Sequence, residues 1–326
     1  MIVARRGGQA RIVARRALRY ADGGDPDTGR PAHVRAASGL AWQQRAGQRV
    51  LVAPQDDTSF LAVFTPPDGE IRALTLDYAP SGVRVFEKRA GTKHLKLDLE
   101  SIAAIDDARA LMIGSGSHEN RRRIVVLDGD ATRIVDCTAL YEALAARADF
   151  AGSELNIEGA ARIGDRFYLA NRGNGAAREG ARAIDAIVEL RADELIAYLE
   201  DRGPVPAIGP VVEVTLGEVG GGRLTFTDLA ASPDGTLWFL ASAERSPNAY
   251  DDGEVVGAAI GVVRFGAGSA EIALLHDEDG QPSRCKPEGI ALSSSHPDKV
   301  VAYACIDADD PEVPSELVTI ELSPPC

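Results

Sequence analysis

Three glutamates hold the same position in a short phrase that recurs along the chain. The phrase reads small or acidic, small, aliphatic, alanine, and a hydrophobic stretch follows it. Glu100, Glu158 and Glu288 each hold its first position, and Asp228 lies one residue later in another copy. Carboxylates brought together in this way repel one another unless a divalent cation, bound protons or nearby basic side chains compensate their charge.

A divalent cation is the first way to compensate these carboxylates. Calcium or magnesium suits an all-oxygen ligand set, to which Asn156 or Asn171 could add a neutral oxygen. The predicted metal ligands are Glu158, Asn171, Asp228 and Glu288, and the predicted cofactor is calcium or magnesium.

Basic side chains of the protein are the second way. Arg35, Lys96 and Lys286 lie two to four residues before copies of the phrase, and Arg172 follows a predicted strand. An internal ring of salt bridges would satisfy the carboxylates without metal, because ion networks also perturb carboxylates outside catalytic sites. Both explanations stay open at this stage. The predicted ligand-binding residues are Arg35, Asp56, Arg172, Glu244 and Lys286.

Glu100 and His118 are the predicted proton carriers. His118 lies in a loop rich in small residues, where a histidine can act as a general acid or base, and a solvated loop histidine is the alternative. The chain contains no GxSxG, phosphate-binding loop, dinucleotide fingerprint or HExxH motif. The motifs therefore suggest a site without naming its reaction.

The elements that must position these residues follow from the repeat itself. The phrase occurs at 38–41, 100–103, 158–161, 227–230 and 288–291, at intervals of roughly 60 residues, which is typical of a repeat architecture. Each copy begins a set of short hydrophobic strands, and four strands per repeat indicate a propeller blade. We therefore predict an all-β chain forming a single β-propeller domain over 1–326, with five four-stranded blades. Six blades are the alternative if 77–93 holds a degenerate one.

The two ends of the chain are expected to close the ring. The fifth repeat ends after its third strand, and the N-terminal stretch 11–20 supplies the missing fourth strand. Such pairing removes exposed strand edges. Helices are predicted at 138–148, with Thr138 as N-cap, and at 192–201, each after a third strand.

Loop lengths predict which face carries the site. The first strand of a repeat begins at one face, and the second strand returns to it, so the phrase and the loops after second strands share that face. These loops are long and polar, at 55–57, 115–123, 171–185, 242–257 and 307–315. Long loops gathered on one face of a rigid scaffold usually carry function.

Composition excludes several classes of partner. A net charge of −14 argues against nucleic acid or an anionic membrane as the main partner. No stretch has the length and apolarity of a membrane span or a secretory signal, so a cytoplasmic location is expected. The four cysteines, Cys137, Cys285, Cys305 and Cys326, show no CxxC spacing and are expected to be free thiols.

The phrases at 156–161 and 286–291 carry a resemblance to a known family. Asn-Ile-Glu-Gly-Ala-Ala and Lys-Pro-Glu-Gly-Ile-Ala resemble the signature of bacterial propellers similar to the esterase-like domain of phytase. A more distant resemblance is to gluconolactonases and paraoxonases, whose propellers hold calcium through a Glu-Gly motif, asparagines and an aspartate. It implies that Glu158 and Glu288 match this motif, with Asn171 and Asp228 as further ligands. This chain differs in its several acidic phrases, its expected five blades instead of six, and the lack of a recognisable base.

Two functions follow as hypotheses. The first is a metal-dependent hydrolase of a lactone, ester or phosphoester, in which the cation polarises the substrate and lowers the pKa of bound water. The alternative is a non-catalytic propeller that binds a small polar molecule or a protein on its long-loop face.

Overall fold

The chain folds into antiparallel β-sheets of four strands. The computed structural model describes residues 1–178, 180–232, 234–245, 253–296 and 299–323. Two strands, β1 (Ile2–Arg6) and β2 (Gln9–Ala17), precede the first sheet. Sheet 1 contains β3 (Ala41–Arg45), β4 (Gln48–Pro54), β5 (Phe60–Phe64) and β6 (Arg72–Thr75). Sheet 2 contains β7 (Leu99–Ala104), β8 (Arg109–Gly114), β9 (Arg123–Asp128) and β10 (Ala131–Asp136).

The later sheets repeat this order. Sheet 3 contains β11 (Ile157–Ile163), β12 (Arg166–Asn171), β13 (Ala186–Arg191) and β14 (Val211–Thr215). The short β15 (Glu218–Val219) leads to sheet 4, with β16 (Gly222–Ala231), β17 (Leu237–Arg245), β18 (Glu254–Arg264) and β19 (Ser269–His276). Sheet 5 contains β20 (Lys286–His296), β21 (Lys299–Asp307), β22 (Glu316–Ser323) and the N-terminal β2.

The predicted all-β propeller class is confirmed. Over the described residues the strands other than β1 and β15 form five antiparallel sets of four, and sheets 3, 4 and 5 are joined to one another through β1 and β2. Strand β2 pairs with β22 from Gln9↔Ser323 to Ala17↔Glu316. The stretch 77–93, proposed for a sixth blade, contains no strand. The β2–β22 pairing is the one expected for closure of the ring by the N-terminal strand. The number of blades stays a prediction.

Buried apolar side chains explain why the sheets pack around an axis. They form five clusters, each between two neighbouring sheets, and the last cluster joins sheet 5 to sheet 1. Successive side chains of a strand point to opposite faces, so the aliphatic and alanine positions of one phrase serve two different interfaces. Ile102 packs between sheets 1 and 2, whereas Ala103 packs between sheets 2 and 3.

The N-terminal strand β1 has a place that the sequence analysis did not predict. It pairs in parallel with β14 through Ile2↔Val214 and with β19 through Ala4↔Ala270. Strand β19 also pairs in parallel with β2. The first residues of the chain therefore tie the outer edges of sheets 3, 4 and 5 together.

The α-helices pack against the apolar cluster between sheets 2 and 3. They are α1 (Thr138–Ala145), α2 (Ala148–Ala151) and α3 (Ala192–Leu199), with 3-10 turns at Pro80–Gly82, Lys93–Leu95, Glu119–Arg121 and Phe265–Ala267. The N-cap of α1 is Cys137, so Thr138 is the first helical residue instead of the cap. Helix α1 follows the fourth strand of its sheet, because β10 continues the hairpin that was expected to end with β9.

The cysteines, one long loop and the helices can also be compared with the expectations from the sequence. Cys137, Cys285 and Cys305 are free thiols, and Cys326 lies outside the described residues. Strands β17 and β18 shorten the expected loop 242–257 from both sides, and its residues 246–252 lie outside the described part. Among the helices described, none has the length and apolar character needed to span a bilayer.

Candidate functional site

β-bulges set the direction of the glutamate side chains. The register of β7 skips the residue between Leu99 and Ser101, which is Glu100. The same irregularity falls at Glu158 in β11 and at Glu288 in β20. A bulged residue is left out of the regular ladder, which re-aims its side chain. Each bulge thus turns one carboxylate away from the interfaces between sheets.

The three bulged residues meet and form what we call the glutamate cluster: Glu100, Glu158 and Glu288. One carboxylate oxygen of each lies within 4.8 Å of the others. Glu158 and Glu288 are 5% and 4% exposed, and Glu100 is half-buried. Glu288 Oε1 is buried, and Lys286 Nζ lies 3.3 Å from it. The cluster thus presents converging oxygens from three different sheets.

Burial disfavours the ionised form of all three glutamates in the cluster. Burial, followed by the charges of Asp56, Asp98 and Glu158, raises the pKa of Glu100 well above its usual value. Burial likewise raises the pKa of Glu288, and it raises that of Glu158 even though Arg172 opposes the shift. Three neighbouring acids with raised pKa values favour uptake of positive charge, as protons or as a metal ion.

Two basic side chains flank the cluster. Arg172 is 6% exposed, and its Nη1 lies 3.4 Å from Glu158 Oε1 while its Nη2 lies 2.5 Å from Glu244 Oε1. Lys286 Nζ lies 3.3 Å from Glu288 Oε1 and 2.8 Å from Asp309 Oδ1. Each of these cations is therefore shared between the cluster and a second carboxylate, which limits how far it neutralises the cluster.

A second acidic group adjoins the first and shares Glu100 with it. Asp56, Asp98 and Glu100 offer oxygens within 4.8 Å of one another. Burial raises the pKa of Asp56 to about 7, with Lys96 opposing the shift. Burial also acts to raise the pKa of Asp98, but Lys96 and Arg121 outweigh it and hold that pKa below its usual value. Arg121 Nη1 donates to Asp98 Oδ2 at 2.8 Å.

Asp228 lies in the interior instead of the glutamate cluster. The bulge of β16 falls on Thr227, so Asp228 takes the register of Ser101 and Gly289. Its Oδ1 accepts from Ser101 Oγ at 2.7 Å and its Oδ2 accepts from the Ile290 amide at 2.9 Å. Both oxygens are thus used in joining sheets 2, 4 and 5. Burial raises its pKa well above the usual value.

Asn171 also binds backbone groups. It is fully buried, its Oδ1 accepts from the Asn156 amide at 2.7 Å, and its Nδ2 donates to the Ile184 carbonyl at 3.1 Å. Asn156 Nδ2 donates to Glu158 Oε1 at 2.7 Å. Of the two candidate asparagines, Asn156 is therefore the one that contacts the cluster.

His118 is exposed and connects to the second acidic group. Its Nδ1 lies 3.4 Å from Ser117 Oγ, which lies 2.9 Å from Ser115 Oγ. Ser115 Oγ in turn donates to Asp98. The histidine thus reaches the site through two serines and contacts neither Glu158 nor Glu288.

The predicted ligand-binding residues all take part in ion pairs. Arg35 Nη2 lies 2.5 Å from Asp57 Oδ2, and its Nη1 lies 2.7 Å from Glu87 Oε1. Asp56 pairs with Lys96. The pairs of Arg172, Glu244 and Lys286 are those described above.

Asp98 is the site residue that the sequence analysis missed. Lys96, Asp98 and Glu100 alternate with the buried apolar residues Leu97 and Leu99. In an extended segment this period of two places the three charged side chains on one face. That alternation makes Asp98 a candidate, but its convergence with Glu100 depends on its left-handed backbone, which the alternation does not predict.

One cavity lies away from the glutamate cluster. Its volume is about 550 Å³, and residues at the end of the phrase or just after it line it from all five sheets, including Gln43, Ala103, Ala161, Ala230 and Ala291. The lining continues into short turns such as Asp106–Asp107 and does not include the glutamate cluster. The cavity therefore belongs to the face opposite the long loops.

Comparison with known proteins gives a family without an activity. The family described as "Family of unknown function (DUF6929)" matches residues 33–322. No curated protein matches the sequence. The resemblance to the esterase-like domain of phytase and to gluconolactonases stays a prediction.

Several solved structures are similar to the chain at low identity. A thermostable family-43 glycoside hydrolase shares 13% identity, with 88% of this chain and 90% of that chain covered and a TM-score of 0.44. An α-L-arabinanase of Penicillium chrysogenum shares 9% identity, with 94% and 98% covered and a TM-score of 0.43. A luciferin-regenerating enzyme shares 10% identity, with 95% of each chain covered and a TM-score of 0.41.

Proposed function

Because the chain belongs to the Family of unknown function (DUF6929), whose description assigns no activity, we propose a function from the glutamate cluster itself. The protein is a metal-dependent hydrolase that acts on a lactone, an ester or a phosphoester. One observation carries this proposal: three carboxylates from three sheets, two of them almost fully buried, converge within 4.8 Å of one another. Hard divalent cations take such all-oxygen sets, and calcium or magnesium fits best.

The charges around the cluster support a cation. Arg172 and Lys286 each divide their charge between the cluster and another carboxylate, Glu244 and Asp309 respectively. The pKa values of all three glutamates remain raised despite these neighbours. A divalent cation supplies the missing charge and displaces protons, so its affinity rises with pH.

Asp56 is the proposed general base. A bound cation polarises a carbonyl or phosphoryl oxygen and lowers the pKa of bound water. Asp56 is half-buried and lies beside Glu100, and burial raises its pKa to about 7. Lys96 Nζ contacts both of its oxygens, so Asp56 takes up a proton only as one of these contacts gives way. Glu100 and His118, the carriers expected from the sequence, fit less well, because Glu100 serves the cluster and His118 is exposed and reaches only Asp98, through Ser117 and Ser115.

Substitution of one ligand tests this function. In Glu158→Gln, calcium or magnesium binding measured by titration calorimetry and turnover in a screen of lactones, esters and phosphoesters should both be lost. Glu278→Gln is the matched control, since Glu278 is exposed on a turn outside the site. Turnover that persists in Glu158→Gln, or in the wild type with excess chelator, contradicts a metal-dependent reaction.

A second candidate is a non-catalytic propeller that binds a small polar molecule or a protein on the same face. Arg35 Nε and Asp57 Oδ1 favour it, because both atoms are buried and lack hydrogen-bond partners within the described residues. A ligand that bonds to them should raise the melting temperature without any metal. If no ligand of a polar-metabolite library does so, this candidate loses its support. A cytoplasmic location and the lack of nucleic-acid and membrane partners stay predictions.

A further inference from the structure

Two acidic groups meet at one carboxylate. Glu100 belongs both to the glutamate cluster and to the group that it forms with Asp56 and Asp98. Asp98 is 2% exposed, and its buried Oδ1 is in contact with the Lys96 ammonium. Adjoining oxygen sets that share a carboxylate are suited to two neighbouring cations.

Lys96 already brings a positive charge into the second group. Its side chain is 6% exposed, and its Nζ lies 2.5 Å and 2.7 Å from the two oxygens of Asp56. The same Nζ contacts Asp98 Oδ1. An ammonium at these distances takes the space in which an oxygen-bound divalent cation, at about 2.0 to 2.6 Å from its ligands, would lie.

Lys286 is placed differently, although it also lies beside the cluster. Its Nζ is 3.3 Å from Glu288 and 2.8 Å from Asp309, a residue on the exposed rim. Only Glu288 of its two partners belongs to an acidic group with converging oxygens. Removing Lys286 therefore exposes no second set of three carboxylates.

We propose that the ammonium of Lys96 fills the second of two adjoining cation sites, so that the protein binds a single divalent cation. Replacing Lys96 with a neutral residue opens a latent divalent site formed by Asp56, Asp98 and Glu100. This inference rests on the proposed function, because the glutamate cluster must bind the first cation. Lys96 acts here as a tethered counter-charge that fixes the number of metal ions.

Metal stoichiometry tests the inference. The full-length chain is stripped with chelator, titrated with calcium chloride and, separately, manganese chloride, and its metal content is measured after gel filtration. We expect one equivalent in the wild type, two in Lys96→Met, and one in both Lys96→Arg and Lys286→Met. Lys96→Arg retains the positive charge, and Lys286→Met removes a neighbouring one.

The outcomes separate the two proposals. A wild type that binds no cation overturns the proposed function and this inference with it. One equivalent in both the wild type and folded Lys96→Met overturns this inference alone. Lys96→Gln is a second test with the same expected stoichiometry of two. If both neutral variants are unfolded without metal, added calcium must restore their folded circular dichroism spectrum, and failure at every calcium concentration overturns the inference.

Discussion

Replacing a glycine of the phrase by alanine tests how closely the first strands of neighbouring sheets approach one another. The structure offers three such glycines with different amounts of free space, namely Gly289, Gly159 and Gly39. Each glycine follows the first position of a phrase. A Cβ at Gly289 would lie 2.5 Å from the Gly39 carbonyl carbon and 2.6 Å from Cys305 Sγ. A Cβ at Gly159 would lie 2.9 Å from the Leu229 amide nitrogen, and one at Gly39 would lie 3.0 Å from the Ile102 amide nitrogen.

These distances set the order of the effects. Contacts below 3.0 Å with backbone atoms force neighbouring sheets apart, and overpacking typically costs about 1 to 3 kcal/mol. We expect the free energy of unfolding to fall by about 3 kcal/mol in Gly289→Ala, about 2 in Gly159→Ala and about 1 in Gly39→Ala. Gly266→Ala is the control, because its added Cβ meets nothing within 4 Å. Because alanine lowers the conformational entropy of the unfolded chain, the free energy of unfolding of Gly266→Ala should be unchanged or higher by about 0.4 to 1 kcal/mol.

Urea unfolding followed by circular dichroism measures the series, provided that the slope with denaturant is the same in all four variants. Close contact of the first strands predicts that Gly289→Ala is the most destabilised variant, followed by Gly159→Ala, Gly39→Ala and Gly266→Ala. A flat series, or a Gly289→Ala variant as stable as Gly266→Ala, would refute the close contact of first strands around the axis.

Three other predictions follow from the buried acids. Burial raises the folded-state pKa of Asp56 to about 7 and that of Asp185 and Asp307 to about 6. An acid with a raised pKa binds its proton more tightly when folded. In chelator the free energy of unfolding, and the melting temperature with it, should therefore fall from about pH 4 up to the folded-state pKa of each group and level off above it, with a slope of about 1.4 kcal/mol of free energy per pH unit for each group; a rise from pH 4.5 to pH 7 contradicts this assignment. Added calcium should raise the melting temperature more at pH 8 than at pH 5.5, and an equal rise at both would show that protons and metal do not compete. Asp228→Ala leaves the Ser101 hydroxyl and the Ile290 amide without their acceptor, so urea unfolding should show a loss of about 2 to 6 kcal/mol; a loss below 1 kcal/mol would mean that these bonds do not join the sheets.

The fold could be predicted from the sequence because the repeat reflects how each sheet packs between two others. A phrase whose aliphatic and alanine positions face different interfaces can recur only where each sheet packs between two others. The same periodicity placed Glu100, Glu158 and Glu288 in one register, and the structure brings them together. The pairing of an N-terminal strand with the last sheet followed from counting strands.

The sequence does not predict the features that depend on the local backbone of a single residue or on contacts between distant sheets. Asp228 is next to a bulge at Thr227, and a shift of one residue sends a side chain to the other face. The parallel pairing of Ile2–Arg6 depends on edges from two sheets that only the closed ring brings together. The place of Asp98 depends on its left-handed backbone, at φ 56°, which aspartate adopts more readily than most residues.

The binding of one divalent cation by the glutamate cluster is the central claim. Its most direct test is calorimetric titration of calcium into the chelator-treated full-length protein at pH 8, beside Glu288→Gln and the control Glu278→Gln. We predict one equivalent with release of protons in the wild type and the control, and no binding in Glu288→Gln. Equal binding in all three proteins, or none in the wild type, would contradict the metal site and leave the carboxylates as a structural ion network.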